Sequence, residues 1–254
     1  MNTIKWFSLF FLLSFFSLSC GVSYPSGSIA DSLEEIVKKD TGTDSEALVY
    51  GKTLYLDMLL NDLTSNDTAK VNAAISKMQS AILAITRVVL SSDSKIKYMV
   101  VSTFDKDKQV LFRITQNIED IKAYLYMKIS RGDYETRNLL EIEGPGYAAK
   151  EIDDKHDISD EEYVARMIVA QINMQARTNP FLGALVQLLQ LRFLRIDGEN
   201  IILSGSGEMD EKVKDFITKM ISDEANKYCV KYSVNFKSIN IFGAKGEPVA
   251  SITL

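Results

Sequence analysis

A chain of 254 residues that is 46% hydrophobic and 25% charged has the apolar content and length to bury a sizeable core, as one large domain or two small ones. That excludes a wholly disordered chain. A formal net charge of −5 without any Lys/Arg-dense run argues against a nucleic-acid surface, because displacing the counterions condensed on a phosphate backbone needs clustered cations.

The first twenty residues have their own logic. Met1–Lys5 carries one side-chain cation, Lys5, and Trp6–Phe16 is apolar except for Ser8 and Ser14. Ser17-Leu18-Ser19-Cys20-Gly21 follows. A short cationic start, an apolar stretch and small residues at the exit predict a secretory signal over 1–19. The stretch is short of the roughly 20 apolar residues that cross a bilayer, and no second span is expected: Phe181–Leu194 is too short and holds Gln187, Gln190 and Arg192. The junction resembles a bacterial lipoprotein signal, in which a small residue precedes a cysteine that receives lipid. Ser19 and Cys20 match, whereas the leucine usual three places before the cysteine is Ser17, with Leu18 one place late. The resemblance implies acylation of Cys20 and a cell-envelope protein held on a membrane, at its periplasmic or surface side, by several acyl chains, which anchor stably where a single chain does not. Ser17 and Ser19 also fit ordinary signal cleavage, which would give a secreted chain without lipid.

Residues 20–45 are then expected to serve as lipid anchor and flexible tether, with Val22–Ser28 rich in small and polar residues. If Cys20 is acylated, Cys229, the other of the two cysteines, has no intrachain partner; if it is not, a Cys20–Cys229 bridge is open.

Within that segment, helical spacing of Ile29, Leu33 and Ile36-Val37 predicts a short helix over Ile29–Lys39. Ala47–Leu60 begins strand-like. Over Thr68–Leu90, Val71, Ile75, Met78, Ile82, Ile85 and Val89 recur in steps of four and three, which predicts a core helix rather than a coiled-coil seam, its inward stripe widened by Ala74, Ala81, Leu83 and Val88 and its start capped by Asn66 or Asp67. Ile96–Phe104 and Gln109–Thr115 read as strands joined by the polar Asp105–Lys108 turn. Asn117 caps the next helix, with Ile118, Ile121, Leu125 and Ile129 inward and Glu119 and Asp120 in the first turn, where the helix dipole favours anions. Gly144-Pro145-Gly146 breaks the chain. Ser159-x-x-Glu162 is a capping box opening a helix through Met174, and Asn179-Pro180 starts a buried helix over Phe181–Leu194. Asp197-Gly198-Glu199 marks a hairpin between Arg192–Ile196 and Asn200–Ser204. A helix over Asp210–Lys227 is followed by a strand in which Tyr228, Val230, Tyr232, Val234 and Phe236 alternate inward. The switch of phase to Ile239 and Ile241 demands a bulge or turn near Lys237-Ser238, and Pro248–Leu254 is a last strand. The stretches 96–130 and 192–222 share a hairpin-then-helix plan, by duplication or by chance likeness of two amphipathic helices.

The candidate sites favour structural readings. Gly205-Ser206-Gly207-Glu208-Met209-Asp210 lacks the third glycine of a dinucleotide fingerprint and crowds a phosphate with acids. Gly51-Lys52-Thr53 has Glu46 where a phosphate loop needs glycine. His156, the only histidine, lies in an acidic run, Asp153–Asp157, without the alternate spacing of a calcium loop, and reads as a loop histidine. Cys229 has no nearby His or helix N-terminus to lower its pKa. Glu141 with Glu143, or Asp160, Glu161 and Glu162, read as solvated or dipole-directed acids rather than a glycosidase pair.

The fold class expected is α+β, antiparallel hairpins packed on amphipathic helices, with subdomains over 46–150 and 158–254. The sequence from the Ala47 strand to Tyr163 resembles uncharacterised bacterial envelope proteins, from which no activity follows. No catalytic, cofactor or metal residues are assigned; Cys20 is the one site, as the lipidation site. The expected role is an interaction or scaffold module that reaches the membrane through its N-terminal lipid, meets a protein partner and binds no nucleic acid. The alternatives are a small-molecule or lipid-binding lipoprotein, and an envelope enzyme of unrecognised type.

Overall fold

The computed structural model describes residues 24–105, 109–145, 154–178, 191–205, 211–243 and 245–254. The leader, Cys20, the 106–108 turn, residues 179–190 and residues 206–210 of the glycine-rich turn lie outside them.

The chain is α+β. In order come α1 (Ile29–Thr41), β1 (Ser45–Tyr50), β2 (Thr53–Leu59), α2 (Thr68–Leu90), β3 (Tyr98–Asp105), β4 (Val110–Asn117), α3 (Ile118–Leu125), α4 (Arg131–Glu135), β5 (Leu139–Glu143), α5 (Asp160–Thr178), β6 (Arg192–Asp197), β7 (Asn200–Ser204), α6 (Glu211–Tyr232), β8 (Ser238–Phe242) and β9 (Pro248–Thr253). The strands form two mixed sheets, ordered β1-β2-β3-β4-β5 and β6-β7-β8-β9. Two compact units emerge, residues 1–111 with 144–154, and 112–143 with 155–254.

In the first unit, β1 and β2 form an antiparallel hairpin and β3 lies parallel to β2. A parallel neighbour cannot follow through a tight turn, and α2 makes the crossover. α1 packs on α2 and on β1. Leu54, Tyr55, Leu56 and Met58 of β2 and Tyr98–Val101 of β3 are buried in succession, as strands covered on both faces are. Asp67 caps α2, accepting from the Ala69 N–H at 2.9 Å. The buried face of α2 is Ala74, Ala81, Ala84, Ile85, Val88 and Val89. Ile85 and Val89 of the predicted stripe, and Ala74, Ala81 and Val88 expected to widen it, are among these, whereas Val71, Ile75, Met78 and Ile82 are only half-buried and Leu83 is exposed. The small alanines face inward because they let a helix approach its neighbours closely. By length and composition α2 also qualifies as a membrane span; here it packs on α1 and β3 as a core helix does.

Residues 24–41, within the segment expected to be a tether, belong to this fold. The Tyr24 N–H reaches the Ser91 carbonyl at 3.2 Å, the Ser26 N–H reaches Asp93 Oδ1 at 2.8 Å, and Ile29, Leu33 and Val37 of α1 are buried. The flexible tether expected over 20–45 therefore does not extend through Tyr24–Thr41.

In the second unit, β6 and β7 form a hairpin, β8 lies parallel to β7 with α6 between them, and β9 closes antiparallel to β8. α5 packs on α6 and on β6. The plan of the first unit thus recurs: helix, hairpin, long helix, parallel strand. The two hairpin turns agree in detail. Each has a glycine at positive φ first, Gly51 (55°) and Gly198 (59°), where a two-residue hairpin turn demands it. In each, the carbonyl of the next residue accepts from the N–H just before the parallel strand, Lys97 to Lys52 and Lys237 to Glu199, both at 2.7 Å. The recurring pieces are therefore β1-β2-α2-β3 and β6-β7-α6-β8, not the stretches 96–130 and 192–222 suggested by the helix sequences.

The strand predicted over Tyr228–Phe236 is a second correction. α6 continues to Tyr232, Ser233 stands at φ 56°, and the Val234 N–H returns to the Cys229 carbonyl at 3.0 Å. Buried Ile217, Ile221, Ala225 and Tyr228 continue in helical steps of four and three, and Tyr228 and Tyr232 share one helix face as well as one strand face.

Candidate functional site

The densest polar cluster of the described residues lies inside the second unit, where α3, α5 and α6 meet the turn at Thr136-Arg137. Asn117 opens α3 by accepting from the Glu119 N–H at 2.9 Å. Ile118 and Ile121 are buried on this helix, and Asp120 goes inward with them, 6% exposed. Arg137 Nη1 reaches Asp120 Oδ1 at 2.5 Å, and the Tyr232 hydroxyl donates to Oδ2 at 2.7 Å. Both carboxylate oxygens are thus engaged, as a buried charge requires. The turn is held from two sides: the Tyr163 hydroxyl donates to the Arg137 carbonyl at 2.5 Å, and the Tyr228 hydroxyl to the Thr136 carbonyl at 3.1 Å. The rings of Tyr163 and Tyr232 meet edge to face, 5.5 Å apart at 86°, a favoured aromatic geometry. Gln116 Nε2 adds bonds to the Tyr134 hydroxyl at 2.6 Å and to Asn138 Oδ1 at 2.7 Å.

The surroundings set the proton affinities. Burial, then the nearby Asp120 carboxylate, hold the Tyr163 phenol far above its ordinary range. Burial, Tyr163 and Asp120 do the same to Tyr232, and burial and Glu224 to Tyr228. The Lys231 ammonium lies 5.4 Å and 5.7 Å from the ring centres of Tyr228 and Tyr232, within cation–π range. Partial burial and then the Arg137 charge bring its pKa down to about 8, against the pull of Asp120 and Asp133. The cluster holds the phenols protonated and poises one amine near neutrality. It can lock three helices to one turn, and it offers Lys231 as a partly neutral amine.

A second network runs beside it. His156 Nε2 meets Glu162 Oε2 at 2.7 Å, Arg166 Nε meets Glu162 Oε1 at 2.8 Å, and Arg166 Nη1 meets Glu141 Oε1 at 3.1 Å. The guanidinium also lies 5.2 Å from the Phe193 ring centre. Burial opposes ionisation of Glu162, but the hydrogen bond from His156 and the charge of Arg166 outweigh it and hold the carboxyl below its ordinary value.

The residues weighed in the sequence fall as follows. His156 is 39% exposed and lies 2.7 Å from Glu162 Oε2 rather than being simply solvated. Ser159 Oγ accepts from the Glu162 N–H at 3.1 Å, the expected cap. Glu141 and Glu143 are paired, with Arg166 at 3.1 Å and Arg192 at 2.7 Å. Cys229 is a half-buried thiol on α6, not on a strand, and burial pushes its pKa up. Gly51 and Lys52 are the β1–β2 turn. Cys20 and Asp153 lie outside the described residues. Among the described residues no three of His, Cys, Asp and Glu are grouped to hold a metal. Asp120, Arg137 and Tyr163 were not singled out by sequence as a cluster; the available signal was the Tyr228/Tyr232 pair four residues apart, absorbed into the strand reading. Comparison of the chain with family models, curated proteins and solved structures returns no match.

Proposed function

We propose that this chain is a lipid-anchored cell-envelope protein: the leader 1–19 is removed, Cys20 is acylated, and the acidic α+β body acts on the periplasmic or surface side as an interaction or scaffold module. The observation that carries the reading is the run from Lys5 through Trp6–Phe16 to Ser19-Cys20, in which a small residue precedes a cysteine at the exit of a short apolar stretch. The scaffold role is supported by how the interior polar groups are engaged. Asp120, Arg137, Glu162 and Arg166 bind one another and their neighbours, which favours a rigid body over reacting groups held open to a substrate.

The test is intact mass of the native amino terminus together with fractionation of a Cys20→Ser variant. A diacylated or triacylated Cys20 as first residue, and release of the variant from membranes, are expected. An unacylated terminus, or a variant as membrane-bound as the parent, overturns the anchor. Cross-linking on intact cells addresses the module: a discrete cross-linked partner is expected, and a consistently solitary monomer overturns that part.

A further inference from the structure

We propose that β9 is a self-association strand. The same strand of a second copy of this chain adds to it antiparallel, about a twofold axis at Ile252, and joins two β6-β7-β8-β9 sheets into one. The contact lies within the second unit and does not depend on whether Cys20 carries lipid.

Register decides which backbone groups β9 has to offer. The Gly205 N–H bonds to the Phe242 carbonyl at 2.8 Å, which turns the even-numbered residues of β8 toward β7. The N–H and C=O groups of successive residues point to opposite sides of a strand, so Ile239 and Ile241 bond toward β9, where they face Ile252 and Ala250. The Leu254 N–H on the Lys237 carbonyl, at 3.0 Å, keeps the same alternation. Ser251 and Thr253 therefore direct their N–H and C=O groups away from β8, along the outer edge of the sheet. Both residues are exposed, and among the described residues no hydrogen bond reaches those groups.

The other three sheet edges are guarded in the ways that blunt a free strand. β1 carries Glu46 and has α1 packed on it, and β5 carries Glu141 and Glu143. β6 carries Arg192, Arg195 and Asp197 and a register irregularity between Phe193 and Arg195. β9 holds no ionisable residue. Its proline and its one register slip lie at the Pro248 end, clear of Ser251 and Thr253.

A second copy meets what this edge demands. The twofold sets Ser251 of each copy opposite Thr253 of the other, so both outward residues exchange their N–H···O bonds at once. On the open face, where the Ser251 hydroxyl already donates to Asn240 Oδ1 at 2.7 Å, hydroxyl then meets hydroxyl, a favourable cross-strand pair. On the other face β-branched Ile252 meets Ile252, and small Ala250 meets Leu254. Charge raises no barrier. Lys237 with its ion-pair partner Glu199 flanks one end of the strand, and Lys245 and Glu247 flank the other. Each end is balanced, and antiparallel docking brings them together without an excess of like charge. A short strand pair falls below the roughly 1,200 Å² that stable complexes bury, so the dimer exchanges readily and a covalent trap is the means to catch it.

The trap uses the full chain with Cys20→Ser and Cys229→Ser, so that an introduced thiol is the only one. Ser251→Cys and Thr253→Cys are made in separate chains of different tag and mixed under mild oxidation. Directly opposed residues stand about 5.5 Å apart at Cα, within disulfide reach, whereas either position is too far from its own symmetry mate. A disulfide-linked heterodimer from the mixture is expected, with no dimer from either variant alone. Ser251→Lys with Thr253→Lys, and Ser251→Glu with Thr253→Glu, extend the test without touching the core. Each variant alone should sediment as a monomer with the parent's melting temperature, and the two together should associate. No cross-link in the mixture overturns the pairing. So does a variant that links to itself as readily as to the other, or a pair of charge variants that stay apart when mixed.

Discussion

The Tyr232 hydroxyl donates to Asp120 across 112 positions of sequence, at 2.7 Å, on a carboxylate that Arg137 holds from the other side. Removing one member of a buried ion pair leaves an uncompensated charge. Arg137→Met should therefore lower the stability of the second unit by about 3–5 kcal/mol, and Asp120→Leu with Arg137→Met by less than Arg137→Met alone, since an apolar pair replaces the ionic one. Tyr232→Phe removes one charge-assisted hydrogen bond and should cost about 2 kcal/mol. Urea unfolding followed by far-ultraviolet circular dichroism measures all three. Equal losses for the single and double variants would show that the pair does not act as a unit.

The same cluster predicts an alkaline stability profile. Lys231 has a folded pKa of about 8, below the roughly 10.4 of an unfolded lysine. Between those values the unfolded chain binds more protons, so this group raises stability as pH climbs through the window. The groups that face it are Arg137, Asp120, Asp133 and Lys227, with the Tyr228 and Tyr232 rings. Cys229 works in the opposite sense, because burial raises its pKa and the unfolded thiol ionises first. The raised phenols of Tyr163, Tyr228 and Tyr232 add a steeper loss above about pH 10, where unfolded tyrosines ionise. The Lys231→Met variant cancels only the first effect. The difference in melting temperature between parent and variant should move in the parent's favour from about pH 8 to 10; a difference independent of pH would remove the poised amine.

How far the sequence led can be judged from α2 and α6. Both helices were legible in existence, and α2 in length, because apolar residues recur at steps of three and four over long spans. Their inward faces were harder. In α2 the expected Ala74, Ala81, Ile85, Val88 and Val89 are buried, together with Ala84, but Val71, Ile75, Met78 and Ile82 are only half-buried and Leu83 is exposed, since close packing selects for size that periodicity of hydrophobicity does not record. In α6 the end was misplaced because Tyr228, Val230 and Tyr232 satisfy a strand pattern as well. The hairpin at Asp197-Gly198 was legible from its turn, while β1–β2 was not, because Gly51-Lys52 is a weaker signal. The polar cluster joins residues 117 to 232 through tertiary contacts that no local spacing encodes. The α+β class followed from local patterns alone.

The paired hairpin turns make a matched prediction. Gly198 stands at φ 59° with open space where a Cβ would go, so Gly198→Ala meets only backbone strain, about 1 kcal/mol. Gly198→Asn should cost less, since asparagine tolerates the left-handed region. Gly51, at φ 55°, should respond in the same order if the two hairpins are equivalent. Thermal melts of the four variants decide this. Equal effects of Ala and Asn at either site would mean that the turn there relaxes away from positive φ, which the two hairpins would then not need in common.

Met127 yields a stability prediction of unusual sign. At φ 56° it occupies the terminal helix position where two N–H groups, its own and that of Lys128, bond back to Tyr124 and Ala123. Glycine adopts that conformation without steric cost, and a side chain 92% exposed to solvent has little packing to lose. Met127→Gly should therefore stabilise the protein, by about 1 kcal/mol, a gain readable as a raised urea midpoint with an unchanged slope. Most substitutions that delete an apolar side chain destabilise, so the sign alone is diagnostic. A fall in stability would show that Met127 is held by contacts within the fold.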